Sequence, residues 1–190
     1  MSKTDRQRAL LVIDVQNEYF PGGALPVTYP ESTLPRILEA MEAAAASAVP
    51  VVVVRHTEPP GEGAFEQGTA GWALRPEIQE QHHDLLVDKR LPGSFTDTDL
   101  EAFLRTHHVD TVAVAGYMSQ MCCDTTARQA AHLGLNVEFL SDATGTLDVE
   151  NEAGRVEAAA LHNAVLVTQQ SGFAKVLSTG EWIEDLPRIR

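Results

Sequence analysis

Six short apolar runs alternate along this chain with stretches of helical periodicity, and that alternation restricts the fold more than any other feature. The runs cover residues 9–14, 50–54, 85–87, 111–115, 136–140 and 164–168. Each has the length of a buried strand, and turn residues separate them. Between them, Ile37, Leu38, Met41 and Ala45 recur at helical spacing within residues 31–47. Further helices are predicted at 76–81, from Thr96 or Asp97 with Leu100, Phe103 and Leu104 inward, from Ser119 to near Gly134, at 150–162 and at 171–177. Strands that alternate with helices imply βαβ units, and these build a parallel sheet with helices on both faces. The expectation is an α/β fold with three α-β-α layers and a six-stranded, mostly parallel sheet. Without a linker or repeat, residues 1–190 read as a single domain.

Charge and cysteine content narrow the partners. Fourteen basic residues against 27 acidic ones give a net charge of −13. Nucleic acid and anionic membrane surfaces need a basic footprint, so neither is expected as a partner. No run nears the roughly 20 apolar residues of a membrane span. The polar start, Met1 to Arg8, has no signal-peptide pattern, so the expected compartment is cytoplasmic. The two cysteines, Cys122 and Cys123, are neighbours. They close no useful loop as a disulfide, and no paired Cys/His spacing supports a cysteine zinc site.

Three chemically able residues fall at or just past predicted strand ends: Asp14, Lys89 and Cys122. Parallel strands bring their carboxyl ends to one edge, where open α/β sheets keep their sites. Gly116 breaks the fourth run, and Ser119 is placed to cap the next helix. Cys122 would then lie in the first helical turn, where unpaired N–H groups and the helix dipole favour a thiolate. A thiolate can attack a carbonyl, a carboxylate can move its proton, and an ammonium can stabilise the charge. Backbone N–H groups at the helix start can receive the oxyanion. Each residue also has a plain structural reading: Asp14 as a loop former, Lys89 as a solvated cation, Cys122 as inert packing. Residues 58–71 form a long Gly- and Pro-rich loop of the kind that covers or borders a site.

The order and spacing of these segments resemble the isochorismatase-like cysteine hydrolase superfamily. Its members include nicotinamidases, N-carbamoylsarcosine and ureidoacrylate amidohydrolases, and streptothricin hydrolases. The carrying segments are Leu11-Val12-Ile13-Asp14-Val15-Gln16-Asn17-Glu18-Tyr19, then Asp88-Lys89-Arg90-Leu91-Pro92-Gly93-Ser94-Phe95, then Ala115-Gly116-Tyr117-Met118-Ser119-Gln120-Met121-Cys122 with Thr126-Ala127-Arg128. Asp142-Ala143 fits as well. The resemblance implies a Rossmann-like sheet, Cys122 as nucleophile, Asp14 as base and acid, and Lys89 as electrostatic partner. It also implies a cis peptide joining Tyr117 to Met118, and an oxyanion hole from the Met118 and Cys122 N–H groups. Ser119 stands where Thr is usual and Cys123 where Val is usual; Cys123 reads as packing.

The implied activity is hydrolysis of a carbon–nitrogen bond in a small amide, lactam or carbamoyl compound through a thioester. Isochorismatases proper lack the nucleophilic cysteine. Nicotinamidases hold a metal through Asp-x-His, where this chain has Val54-Arg55-His56-Thr57-Glu58. No metal and no organic cofactor are therefore expected. Tyr19, Trp72 and Tyr117 are candidate substrate-binding walls, and Arg55 and His56 candidate readers of a polar group. The family's habit implies a homodimer or homotetramer. Two alternatives stay open: hydrolysis of an ester or vinyl ether without covalent catalysis, and a non-catalytic ligand-binding or thiol-sensing protein.

Overall fold

In the computed structural model, which describes residues 6–187, six parallel strands form one sheet in the order β3-β2-β1-β4-β5-β8. These are β1 (Arg8–Ile13), β2 (Val51–His56), β3 (Leu85–Lys89), β4 (Thr111–Tyr117), β5 (Asn136–Gly145) and β8 (Lys175–Leu177). The helices are α1 (Pro30–Ala46), α2 (Pro76–Gln79), α3 (Leu100–Thr106), α4 (Asp124–His132), α5 (Ala158–Gly172) and α6 (Thr179–Glu184). A small hairpin, β6 (Val149–Asn151) and β7 (Gly154–Val156), stands apart from the main sheet.

Side chains of a strand point alternately to its two faces, and here that alternation builds two cores. Leu10 and Val12 pack with Ile37 and Met41 of α1 and Trp182 of α6. Ala9, Leu11 and Ile13 pack with Leu100 and Leu104 of α3, Ala127 and Ala130 of α4, and Val165 of α5. Every residue of β1 is buried, as a strand with helices on both faces requires. Under one edge, Glu138 accepts from Arg8 at 2.9 Å and from the Trp182 indole at 3.0 Å, so its buried charge is paired.

The last third of the chain departs from expectation. The run 164–168 is not a strand; it lies inside α5, and the sixth strand is the three-residue β8. Residues 150–162 are not one helix: the hairpin takes up to Val156, and α5 starts at Ala158. The last helix is α6, not 171–177. A five-residue apolar run has no period of its own, so strand and helix are equally compatible with it. Flanking residues decide the matter: Gly154 at φ 139° makes the hairpin turn, and the run's neighbours continue the helix. Likewise α3 begins at Leu100, because Thr98 Oγ1 turns back to the Ser94 carbonyl and holds 94–99 as a loop.

Gly116 does not end its strand. β4 runs on to Tyr117, with a register shift between Val114 and Gly116. At Gly116 φ is 116°, and an added Cβ would meet the Ile13 carbonyl oxygen at 2.0 Å. The glycine therefore lets β4 lie close against β1 just before Asp14.

Candidate active site

Three strand ends and one turn assemble the site. β1 stops at Ile13, and Asp14 follows with φ 52°, in the left-handed region that asparagine and aspartate tolerate best. Its N–H bonds the Val54 carbonyl at 2.9 Å, so the residue is anchored while its side chain turns to the sheet edge. Lys89 is the last residue of β3 and pairs in register with His56, the last residue of β2. One position back, Arg55 pairs with Asp88, and their side chains make a two-pronged ion pair at 2.7 and 3.0 Å. Strand alternation thus sends Arg55 and Asp88 one way and His56 and Lys89 the other.

The turn after β4 carries Cys122. Residues Ser119–Cys123 form one turn of π-helix, and α4 follows from Asp124. Ser119 does not cap a helix. Its hydroxyl donates to His162 Nδ1 of α5 at 2.8 Å, and His162 Nε2 donates to the Ser141 carbonyl at 2.9 Å. The wide π-turn explains the loss of the cap: Met118, ahead of it, has no side chain to accept from its N–H groups, and its carbonyl takes the Met121 and Cys123 N–H. The peptide bond between Tyr117 and Met118 is cis.

Asp14, Lys89 and Cys122 meet. Lys89 Nζ stands 2.8 Å from Asp14 Oδ2 and 3.2 Å from Cys122 Sγ. Both members of the ion pair have side chains wholly removed from solvent, and Cys122 is 6% exposed. Oδ2 of Asp14 faces the ammonium directly. Burial pushes the Cys122 thiol above its ordinary range, and the Asp14 charge adds to the push; Lys89 opposes it without prevailing. The resting sulfur is therefore a thiol, against the thiolate expected from the helix dipole, because desolvation outweighs the partial charges of a short turn. Burial alone would lower Lys89, yet Asp14 and Cys122 beside it raise it overall, so it stays an ammonium.

Asp14, His56 and Cys122 could each offer a ligand atom to a metal, all within 4.8 Å of one another. The space they share is taken by Lys89, whose Nζ also lies 3.1 Å from His56 Nδ1. An ammonium at contact distance from all three donors repels a second cation, so this set does not fit a metal while Lys89 is in place.

The three aromatic candidates separate. Tyr19 is buried with its ring 5.7 Å from Tyr117 and 5.1 Å from Phe65. Burial raises its hydroxyl well above the ordinary range, and the Asp14 charge adds to the push. Trp72 is half-buried under the Arg55 guanidinium, 3.9 Å from the ring, and its indole donates to Thr57 at 2.9 Å. Tyr117 is wholly buried, with its hydroxyl on Thr33 at 2.7 Å, and its ring packs in the α1-side core instead of facing the sulfur. A cleft of about 880 Å³ is lined by Thr33, Ser141, Thr146 and His162 among others, and Asp14, Lys89 and Cys122 do not line it.

Sequence reasoning passed over Gln16 and placed His56 incompletely. Gln16 is fully buried; its side chain accepts from the His56 N–H at 2.8 Å and donates to the His56 carbonyl at 2.9 Å, extending the β1–β2 ladder by a side chain. Strand alternation carried no signal for it, because the chain leaves the extended form at Asp14 and the Gln16 N–H turns back to the Asp14 carbonyl at 2.8 Å.

The family model described as Isochorismatase domain matches residues 8–171. The chain belongs to the isochorismatase family. Within that family, Nicotinamidase 3 of Arabidopsis thaliana is 34% identical over 179 residues, covering 87% of this chain and 82% of its own. A candidate isochorismatase from Burkholderia xenovorans LB400 shares 46% identity, with a TM-score of 0.93 over 98% of this chain and 92% of that one. A cysteine hydrolase from Pseudomonas syringae pv. phaseolicola 1448A shares 30% identity, with a TM-score of 0.88 over 94% and 92% of the two chains. The protein is thus an isochorismatase-family hydrolase with a three-layer α/β fold. No helix among its described residues is long and apolar enough to cross a membrane.

Proposed function

We propose that the protein is a cysteine hydrolase that cleaves a carbon–nitrogen bond in a small amide, lactam or carbamoyl compound. The observation that carries the reading is the Lys89 ammonium seated between the Asp14 carboxylate and the Cys122 sulfur, 2.8 and 3.2 Å away. Asp14 takes the thiol proton, and Lys89 stabilises the thiolate as it forms. The sulfur attacks the carbonyl carbon, and the oxyanion faces the backbone N–H groups of Met118 and Cys122. Asp14 returns the proton to the leaving nitrogen, and an amine or ammonia departs. Water, deprotonated by Asp14, then cleaves the thioester, the acid leaves, and the proton goes back to sulfur. The pushed-up thiol supports this sequence, because the nucleophile is generated only when Asp14 accepts its proton.

The likeness to a nicotinamidase and to a cysteine hydrolase supports hydrolysis of this kind. The reading includes a cytoplasmic homodimer or homotetramer that needs no metal. Acid quenching during turnover of a small-amide panel, followed by intact-mass measurement, tests it. The expected result is an acyl adduct on the peptide bearing Cys122 that hydroxylamine removes. Turnover with no adduct under rapid quench, and no hydroxamate, would favour direct attack by water.

A further inference from the structure

The ammonium of Lys89 has three N–H bonds, and three acceptors receive them with hydrogen-bond geometry: Cys122 Sγ at 3.2 Å, His56 Nδ1 at 3.1 Å and the Leu91 carbonyl at 3.1 Å. Asp14 Oδ2 is nearer still, at 2.8 Å, so the ammonium has four close partners for three N–H bonds. A buried carboxylate is the stronger acceptor, since charge-assisted bonds are about twice as strong as neutral ones, so other contacts must fix the ammonium if the sulfur is to keep its share. Two of its three bonds go to groups outside the proposed triad, and two fixed bonds on a tetrahedral centre set the direction of the third.

We propose that His56 is a positioning residue that holds the Lys89 ammonium against Cys122 beside Asp14. The role rests on the hydrolase reading for its consequence and on the hydrogen-bond geometry for its existence. Because Nδ1 accepts from Lys89, the ring proton sits on Nε2, which donates to Glu58 Oε1 at 2.7 Å. A carboxylate behind an imidazole fixes its tautomer and raises the basicity of the other nitrogen. The donors run one way, from Lys89 to His56 to Glu58. The arm is also braced: Phe65 stands edge-on to the His56 ring at 5.3 Å, and the Glu58 N–H bonds the Phe65 carbonyl at 2.9 Å. Glu58 and Phe65 belong to the long loop after β2, so the seating of that loop is relayed to the ammonium through one ring.

Two substitutions separate this role from mere packing. In His56→Asn, Oδ1 stands near the place of Nδ1 and still accepts from Lys89, while the bond to Glu58 is lost. In His56→Gln, the amide reaches the place of Nε2 and keeps Glu58, while Lys89 loses its acceptor. The reading is the alkylation rate of Cys122 by iodoacetamide, resolved from Cys123 by peptide mass and followed from about pH 6 to about pH 10. His56→Gln is expected to slow alkylation about 10-fold near pH 8, the loss of one hydrogen bond to a charged group, and to move the rise of rate to higher pH. His56→Asn is expected to stay within about 3-fold of the parent. Equal effects of the two variants, large or small, would overturn the assignment. Nitrogen NMR of the unmodified protein gives a second reading: the Nε2–H tautomer of His56 is expected, and an Nδ1–H tautomer would overturn it. Neither measurement needs turnover, so a failure of the hydrolase reading leaves this one separately decided.

Discussion

Cys122 and Cys123 are adjacent in sequence and opposite in surroundings. Cys122 faces Lys89 and Asp14, whereas Cys123 is wholly buried in the core formed with α3, α4 and α5. Burial drives the Cys123 thiol far up, with the Asp14 charge adding to it, so it offers no thiolate. Cys123→Ala is therefore expected to keep hydrolytic activity and lose about 1–2 kcal/mol of stability, the scale of a small buried group removed from a packed core. Chemical denaturation beside an activity measurement checks both halves. At this scale the sequence was most informative about strand ends. Asp14, Lys89 and Cys122 were legible because each follows an apolar run, and parallel strands align their ends. The charge state of the sulfur was not legible. It depends on how much water the folded site excludes, and local helix position says nothing of that. His56 as an acceptor for Lys89 was hidden for a related reason: it needs the β2–β3 register, which apolar runs alone do not specify.

At the scale of elements, the bridge from Ser119 through His162 to Ser141 ties the turn that carries Cys122 to α5 and to the middle of β5. Burial lowers the His162 pKa from its ordinary 6.5, and the hydrogen bond to Ser141 only partly opposes that. The folded protein thus holds His162 neutral where the unfolded chain binds a proton. Its contribution to stability is complete above about pH 6.5 and is lost as pH falls below that value. Unfolding in urea between about pH 7 and about pH 5.5 is expected to show stability falling with acidity, with a shallower fall in His162→Gln. An identical slope in both proteins would remove His162 from the account. The same element shows where sequence reading failed. Val165 and its neighbours are an apolar run inside α5, and nothing within five residues separates a short buried strand from a helix turn. Conversely, β8 has only three residues, and pairing with Glu138, Phe139 and Leu140 of β5 makes it a strand. That partner is nearly forty residues away.

For the molecule as a whole, topology does most of the work. With β1 at the centre of the sheet, β2 and β4 flank it, and β3 lies one strand further out. Asp14, His56 and Lys89 come from three successive neighbours, and the turn after β4 brings Cys122 from the other side. Chain segments more than thirty residues apart thus deliver four side chains to one point. The rigidity of a doubly covered parallel sheet is what permits buried charges there: Lys89 and Asp14 are desolvated together and face each other at 2.8 Å. The parallel arrangement of the strands was legible from alternating runs and helices, whereas their order and the depth at which the charges sit are properties of the packed molecule. The central claim is that Cys122 is the nucleophile of this arrangement. Its most direct test is to measure product release from a panel of small amides and carbamoyl compounds by the protein and by Cys122→Ala, with circular dichroism of both. The account predicts that the variant keeps the fold and loses turnover by at least about 10⁴-fold, the scale of a removed covalent nucleophile. Turnover retained by a folded Cys122→Ala would contradict it.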